Sequence, residues 1–299
     1  MSSRSSVVVP EIEGQIYRWR FGEVSFEVDA AVGARIVGFR IGNENILTGP
    51  EVNALNYGST FWTSPQADWN WPPVVEIDGG AYAVTGEGAD LVFQSAVGGQ
   101  MGIAVSKKFH VDSDRETVTI EYTMENRSTE TRTVAPWEIS RLATGGLTFF
   151  PKGAGVLPPS TLKVSEAVDA IWFDYDPAPI TDHQKLFAHG SEGWVAHIDK
   201  PRRMLLIKTF PPIDRNDHAP GESEIELYGD PEHTYVEVEQ QGAYRPLAPG
   251  ARVDWVVVWR LRRVPLGIDI ATGNKDLLAL VRALSATSQP VATAQKSPA

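Results

Sequence analysis

Short runs in which apolar and polar residues alternate are the feature that most restricts the fold of this chain. A period of two residues is typical of β-strands that bury one face. Glycine, proline, asparagine and aspartate turns lie at or between the ends of the runs, at hairpin and meander spacing. The pattern predicts a mostly antiparallel, all-β protein whose strands include residues 16–20, 24–28, 35–41, 102–111, 117–125, 193–198, 204–210, 222–228, 234–241 and 252–261.

The number of strands restricts their arrangement further. So many strands in one domain need a closed barrel or two stacked sheets, and 299 residues favour a large sandwich. Leucines and a valine at helical spacing predict one short C-terminal helix over residues 274–285. We therefore expect a single domain over residues 1–285. Residues 286–299 carry too little apolar surface to offset their ordering entropy, which predicts a disordered tail.

Composition excludes several classes of function. The net charge is −11 and no basic run occurs, so we expect neither nucleic acid nor a membrane as partner. The absence of cysteine excludes disulfides, thiolate metal sites and cysteine nucleophiles. The N-terminus has too few apolar residues for a secretory signal, which predicts a cytoplasmic protein, or a periplasmic or secreted one if a leader has been removed. The oligomeric state stays open.

Three tryptophans, Trp62, Trp69 and Trp71, stand among amides, hydroxyls and prolines in residues 58–73. A tryptophan face is a flat, apolar platform for the C–H face of a pyranose, and Gln66 is placed to bind hydroxyls at the ring edge. This composition indicates a carbohydrate site. The alternative is a proline-stiffened loop whose tryptophans close one end of the core.

Four segments, taken in order, resemble galactose mutarotase-like proteins. Residues 33–47 are similar to the opening strands of that superfamily, and residues 109–128 resemble a central strand that ends in an Asn-x-Ser turn. Residues 135–141 resemble the next strand, which leads to a substrate-facing residue. Residues 236–250, followed by 255–261, resemble the final strand with the catalytic glutamate and its Leu-x-Pro-Gly turn. The resemblance is strongest to an uncharacterised bacterial family within the superfamily.

This resemblance implies a galactose mutarotase-like β-supersandwich with a sugar-binding cleft on one sheet. In the aldose 1-epimerases of the superfamily, a glutamate base works with a histidine acid. Neither the Asn-Arg pair nor the His-Gly-Gly loop of those enzymes occurs between Leu47 and Tyr82, where the tryptophan segment stands instead.

The acids of residues 234–241 are candidates for the base. Glu237 and Glu239 share one strand face, and Val236 and Val238 occupy the other, so both carboxylates point away from an apolar layer. Glu239 precedes Gln240 and Gln241, in similarity to the Glu-x-Gln of the epimerases, and is the predicted base. Glu237 is the reserve base and a substrate-binding candidate. The alternative is a solvated strand face.

Two residues, Glu138 and His183, are candidates for the acid partner. Glu138 stands where the epimerases carry the acid histidine, and it can act as an acid if burial or a second carboxylate raises its pKa. Otherwise Glu138 and Arg141 form a structural ion pair. His183 is the second candidate acid, in a polar segment predicted as a turn before a strand. Lys185 and Arg141 are candidates for holding a substrate carboxylate.

The predicted function is that of a carbohydrate-active, aldose 1-epimerase-like isomerase that transfers protons on a monosaccharide or sugar acid. Two alternatives stay open: a carbohydrate-binding protein without activity, and a lyase or isomerase acting on a uronic acid or oxidised glycoside. No cofactor is predicted. No metal is predicted either, because the oxygen and nitrogen ligands of residues 214–218 lack the spacing of a calcium loop or zinc site.

Overall fold

The computed structural model describes residues 8–288. The first eleven strands are β1 (Glu11–Glu13), β2 (Ile16–Phe21), β3 (Val24–Asp29), β4 (Arg35–Ile41), β5 (Glu44–Asn45), β6 (Ser59–Ser64), β7 (Ala83–Thr85), β8 (Val92–Gln94), β9 (Ile103–Asp112), β10 (Thr117–Asn126) and β11 (Arg132–Ala143). The chain continues with β12 (Leu147–Pro151), β13 (Gly155–Leu157), β14 (Ser165–Ala167), β15 (Ala170–Asp174), β16 (Gln184–His189), β17 (Trp194–Asp199), β18 (Met204–Thr209), β19 (Ile225–Gly229), β20 (Tyr235–Gln241), β21 (Arg245–Leu247) and β22 (Arg252–Arg263). The helices are α1 (Val75–Asp78), α2 (Lys275–Ala286) and two 3-10 turns, Gln66–Asp68 and Arg215–Asp217.

Within residues 8–288 these strands form two antiparallel sheets. The strand order of the twelve-stranded sheet is β1-β2-β3-β4-β6-β11-β20-β19-β16-β13, with β5 paired to β4 and β21 paired to β11. The order of the ten-stranded sheet is β14-β15-β12-β17-β18-β22-β10-β9-β8-β7. The predicted all-β sandwich is therefore confirmed. Two sheets of this size pack face to face because each has one apolar face to bury.

Strand β10 illustrates how the alternating sequence produces the sandwich. Its residues Val118, Ile120, Tyr122 and Met124 are buried, and the residues between them are partly exposed. Large aromatic side chains then fill the space between the sheets, as where Trp259 of the ten-stranded sheet packs against phenylalanines of β3 and β4. The hydrophobic core thus lies between the two sheets.

Helix α2 covers the outer face of the ten-stranded sheet. The Asn274 side chain accepts a hydrogen bond from the backbone N–H of Leu277 at 2.9 Å and so caps the helix N-terminus. Leu277 and Val281 are buried in a second hydrophobic cluster with Trp172 and Trp194. The predicted C-terminal helix is confirmed, while most of the predicted tail, residues 289–299, lies outside the described residues. No described helix is long and apolar enough to cross a membrane.

Two local predictions were wrong. Residues 59–64, which are missing from the predicted strands, form β6, because the serine, threonine and aromatic side chains there suit a fully buried strand between β4 and β11. The segment that contains Lys185 was predicted as a turn, but residues 184–189 form β16, which pairs with β13 and β19. Both strands contribute directly to the cavity described below.

A buried ion pair joins the two sheets. The Lys208 ammonium on β18 lies 3.0 Å from the Glu138 carboxylate on β11, and both side chains are almost completely buried. Tyr122 donates to Glu138 at 2.5 Å and Trp259 donates at 3.0 Å. Gln240 also donates to this carboxylate. The buried negative charge is thus compensated by one cation and three hydrogen-bond donors.

Removing one member of this pair tests its structural role. We expect Lys208→Met to lower the free energy of unfolding by about 3–5 kcal/mol, because the Glu138 carboxylate would stay buried without its cation. In the double variant with Glu138→Gln, part of that loss should be recovered. Urea unfolding of the wild type and the three variants measures the coupling. A Lys208→Met protein within about 1 kcal/mol of the wild type would contradict this structural role, since such a loss is no larger than that of an average substitution.

Candidate functional site

The candidate site lies on the face of the twelve-stranded sheet that points away from the Lys208–Glu138 pair. Strand register aligns side chains across β16, β19, β20, β11 and β6 on this face, because residues two apart along a strand share a face. Three rows result: Lys185, Tyr228, Glu237 and Arg141; Glu226, Glu239, Ile139 and Thr60; and Gln241, Trp137 and Trp62.

A cavity of about 830 Å³ opens over these rows. Its size is within the range of sites for small organic molecules. The tryptophan segment and the acid-bearing strand β20 are far apart in the sequence, and both contribute residues to its lining. The lining residues are Asn53, Asn56, Trp62, Gln66, Trp71, Trp137, His183, Lys185, Tyr228, Asp230, Pro231, Glu232, Tyr235, Glu237 and Glu239.

The three predicted tryptophans have different environments. Trp71 is 55% exposed and lines the cavity, so its ring is available to a ligand. Trp62 also lines the cavity, but its N–H is bonded to Asp78 at 2.7 Å, and the Arg141 guanidinium lies 5.1 Å from the centre of its ring. Trp69 is 4% exposed and donates to the Thr63 carbonyl, outside the cavity lining. The predicted contact of Trp69 with a ligand is therefore corrected, because its ring is part of the core.

Gln66 occupies the predicted position at the cavity. Its backbone N–H donates to the Glu222 carboxylate at 3.0 Å, which ties the tryptophan segment to the residues just before β19. Gln66 lines the cavity together with Trp62 and Trp71, which flank it in the sequence. An amide at this place offers both a donor and an acceptor to a hydroxyl-rich ligand.

Glu239 has one carboxylate oxygen with no protein partner. Oε2 accepts from the Trp137 N–H at 2.9 Å and lies 3.3 Å from the Lys185 ammonium. Oε1 is buried and accepts no hydrogen bond from the residues that the structure describes. The side chain is 1% exposed and lines the cavity. A buried carboxylate oxygen without a donor is costly unless a ligand hydroxyl or water supplies one.

Glu226 and Glu239 share the Lys185 ammonium. Lys185 Nζ lies 2.5 Å from Glu226 Oε2, in addition to its contact with Glu239. Burial raises the pKa of Glu239 to about 8 and the pKa of Glu226 to about 7, against the opposing effect of the lysine. Burial by itself would lower the pKa of Lys185, but the two carboxylates outweigh it and raise this pKa above its usual range. The three groups thus hold a proton between the carboxylates near neutral pH.

His183 lies at the rim of the cavity, just before β16. Its Nδ1 is 2.6 Å from the Tyr228 hydroxyl, and the two rings are stacked with centres 5.9 Å apart. Tyr228 is directly opposite Lys185 and Glu237 on the neighbouring strands. The histidine is therefore held beside the predicted base strand, although its ring is exposed.

Arg141 and Glu237 neutralise each other at the floor of the site. Arg141 Nε donates to Glu237 Oε1 at 2.8 Å, and Nη1 donates to the Thr60 hydroxyl at 2.7 Å. Arg141 is buried and does not line the cavity, whereas Glu237 does. The predicted direct contact of Arg141 with a ligand is corrected, because its guanidinium is used to hold Glu237.

Glu138 is not part of this cavity. The pleat of β11 places Trp137 and Ile139 on the cavity side and Glu138 on the opposite side, where it binds Lys208. The prediction that Glu138 is catalytic is corrected for this reason. The predicted Glu138–Arg141 ion pair is also wrong, since Arg141 binds Glu237 instead.

Sequence reasoning missed several residues of the site, in the cavity lining and directly beneath it. Glu226 and Tyr228 belong to β19, where they alternate with Ile225 and Leu227, and this pattern is the same signal that identified Glu239. Asp230 and Glu232 lie in the turn after β19, and turn residues give no comparable signal. In residues 8–288 no group of three or more histidine, aspartate or glutamate side chains is arranged to hold a metal ion.

The chain belongs to a family described as a domain of unknown function (DUF4380), because the model of that family matches residues 21–262. No curated protein matches the chain in sequence.

Solved structures with the same fold include galactose mutarotase-like proteins. One from Clostridium acetobutylicum is 9% identical with a TM-score of 0.57, and 86% of this chain and 98% of that chain are covered. Another, from Lactobacillus casei ATCC 334, is 9% identical with a TM-score of 0.59, covering 83% and 100%. The Slr1438 protein from Synechocystis sp. PCC 6803 is 12% identical with a TM-score of 0.59, covering 88% and 100%. These similarities confirm the predicted galactose mutarotase-like fold, and at such identities they show the fold alone.

The different environments of Trp69 and Trp71 predict different costs of substitution. Trp69→Ala should lower the free energy of unfolding by about 3–5 kcal/mol, because it empties a packed site. Trp71→Ala should stay within about 0.5 kcal/mol of the wild type, because its ring is largely in solvent. Urea unfolding measures both values. Equal losses for the two variants would contradict the assignment of one ring to the core and the other to the cavity.

The raised pKa of Glu239 predicts a pH-dependent effect of Glu239→Gln on stability. The folded state holds a proton that the unfolded state releases above about pH 4.3, the ordinary pKa of glutamate. Holding this proton stabilises the folded wild type at low pH, and the stabilisation is lost as pH rises through the folded pKa of about 8. We expect the variant to gain stability relative to the wild type between pH 5 and pH 8, measured by urea unfolding. A stability difference that is constant, or that changes in the opposite direction, would show that Lys185 outweighs burial.

Proposed function

We propose that this member of the DUF4380 family is a carbohydrate-active enzyme that interconverts the anomers of a monosaccharide by acid/base proton transfer. The observation that carries the proposal is the unpartnered Oε1 of Glu239, a buried acceptor in the wall of a cavity that also exposes Trp71. A sugar that stacks on a tryptophan and donates a hydroxyl to this oxygen satisfies both features.

Glu239 acts as the base in this proposal. It removes the proton of the anomeric hydroxyl through Oε1 while the bond between the anomeric carbon and the ring oxygen breaks, which leaves an open-chain aldehyde. With its raised pKa, Glu239 is in equilibrium between the protonated and the ionised form near neutral pH. The ionised form is the base, and it holds the abstracted proton more firmly than an ordinary glutamate does. Trp137 and Lys185 bind Oε2 and keep Oε1 directed at the substrate.

His183 is the proposed acid. It delivers a proton to the ring oxygen as the ring opens, and rotation about the bond between C1 and C2 followed by the reverse steps gives the other anomer. Histidine is the side chain that most often transfers protons in enzyme active sites. The Tyr228 hydroxyl, 2.6 Å from Nδ1, fixes the ring orientation.

Polar side chains around the cavity support a carbohydrate ligand. Asn53, Asn56 and Gln66 provide amide donors and acceptors next to aromatic surface. Sugar sites need this combination, since a pyranose has apolar C–H faces and a polar edge. The similarity to galactose mutarotase-like structures, which is a similarity of fold, agrees with this choice of ligand.

A second candidate function is carbohydrate binding without catalysis. Glu138 stands at the sequence position of the acid histidine of epimerases, but it binds Lys208 in the interior. Because this acid is missing from the cavity, the second function is favoured. It is also favoured by Arg141, whose guanidinium is bound to Glu237 rather than available to hold a sugar ring. The two functions share the ligand class and differ only in whether protons move.

The lyase alternative has weaker support. A uronic acid or oxidised glycoside needs a cation to hold its carboxylate, and the sequence offered Lys185 and Arg141 for that purpose. Lys185 is bound by Glu226 and Glu239, and Arg141 is bound by Glu237. Lys185 is not available without breaking a partly buried ion pair, and Arg141 is buried and does not line the cavity.

Glu239→Gln tests the proposed base. Glutamine preserves the size of the side chain and removes the base, so the rate of anomer interconversion should fall by about 100-fold or more. Sugar affinity should change by less than about threefold, since the hydrogen-bonding oxygen is kept. Optical rotation of freshly dissolved α-glucose or α-galactose measures the rate, and calorimetry measures the affinity.

Glu87→Gln provides the matched control, because Glu87 is exposed and does not line the cavity. It should behave as the wild type in both measurements. Turnover retained in Glu239→Gln would remove Glu239 from the mechanism. A wild-type protein that binds the sugar but never exceeds the blank rate would establish the second candidate function.

A further inference from the structure

We infer that the cavity takes a monosaccharide carrying a protonated amino group. This inference rests on the proposed carbohydrate site and adds the charge of its substrate. It follows from the distribution of charged side chains around the cavity, from their ion-pair partners and from the aromatic surface beside them.

Carboxylates outnumber cations in the cavity lining. In residues 8–288, four carboxylates line it, those of Asp230, Glu232, Glu237 and Glu239, against one lysine, Lys185. The lysine is neutralised by Glu239 together with Glu226, which lies beneath the lining. His183 adds a positive charge to the lining when it is protonated, as the proposed acid has to be, but it forms no ion pair with Asp230 or Glu232. A ligand group beside these two carboxylates therefore meets a negative field.

Asp230 and Glu232 are the carboxylates that remain for a cationic ligand. Asp230 accepts hydrogen bonds from the backbone N–H and the hydroxyl of Thr234, both through Oδ2. Glu237, by contrast, already has Arg141 as its partner. Among the described residues, no lysine, arginine or histidine forms an ion pair with Asp230 or Glu232. An ammonium group is the missing partner that these two side chains fit.

Aromatic rings stand beside this pair of carboxylates. Tyr228 and Tyr235 line the same part of the cavity, and their ring centres are 6.3 Å apart. Burial, followed by neighbouring acids that include Glu237 and Asp230, raises the pKa of Tyr235 to about 12. Burial, followed by the neighbouring Tyr235 and by acids that include Glu237 and Asp230, raises the pKa of Tyr228. Cations bind favourably to such rings, so the aromatic surface and the acids attract the same ligand charge.

Glu239 Oε1, which accepts no hydrogen bond from the described residues, is left to accept one from a ligand group in the same cavity. A sugar hydroxyl can donate to this oxygen while an amino group on the same ring lies toward Asp230 and Glu232. A sugar acid or sugar phosphate would instead bring a negative charge toward unpaired carboxylates, which disfavours binding.

Calorimetry with sugars that carry different charges tests the inference. The titrants are glucose, glucosamine and glucuronate, together with the same three forms of galactose, each at pH 6.5. We expect the amino sugar to bind about fivefold to tenfold more tightly than the neutral sugar of the better-bound series, and the sugar acid to bind most weakly. The advantage of the amino sugar should shrink as salt is raised, because the rim is in contact with solvent.

A double variant, Asp230→Asn with Glu232→Gln, tests which carboxylates are responsible. It should remove the advantage of the amino sugar, so that the amino sugar binds no more tightly than the neutral sugar. The matched control is Glu87→Gln with Asp269→Asn, which removes two exposed charges outside the cavity and should leave all affinities unchanged.

The outcomes separate the inference from the proposed function. Absence of binding by all six sugars would overturn the carbohydrate site and the inference together. Equal or tighter binding of the neutral sugar or the sugar acid would overturn the inference and leave the carbohydrate site standing. An amino-sugar preference that survives in the double variant would also overturn it, because the charge would then be recognised elsewhere.

Discussion

The register of β6, β11, β20, β19 and β16 is the constraint on which the candidate site depends. Residues two apart on a strand share a face, and residues opposite each other on paired strands become neighbours. This register places Glu239 next to Glu226 and places Trp137 next to Trp62. A shift by one residue would move every one of these side chains to the other face. The inter-sheet pair of Lys208 and Glu138 opposes such a shift in β11, because it needs Glu138 to stay inside.

Charge compensation divides the buried acids into two sets with different consequences. In the interior, Glu138 is satisfied by a lysine, a tyrosine, a tryptophan and a glutamine, so it stabilises the sandwich and has no capacity left for a ligand. On the cavity side, Glu226 and Glu239 share a single lysine, and one oxygen of Glu239 is left over. The incomplete compensation is what makes the second set a candidate for chemistry.

Much of the fold and part of the site follow from the sequence. Alternation along β20 correctly separated the acids from Val236 and Val238, and the resemblance to galactose mutarotase-like proteins gave the fold. The same reasoning misplaced Glu138 because one strand with nearly every residue buried shows no alternation to tell its two faces apart. It also treated three tryptophans as equivalent, although only packing distinguishes Trp69 in the core from Trp71 at the surface. Ion-pair partners such as Lys185 with Glu226 depend on strand order, which local pattern does not contain.

The most direct test of this account is a crystal structure of the protein with a bound monosaccharide. The account predicts a sugar ring against Trp71, with its anomeric hydroxyl within about 2.6–3.2 Å of Glu239 Oε1. It would be contradicted by a sugar bound away from Glu239, or by a Glu239 Oε1 that accepts its hydrogen bond from a protein group while the sugar lies elsewhere.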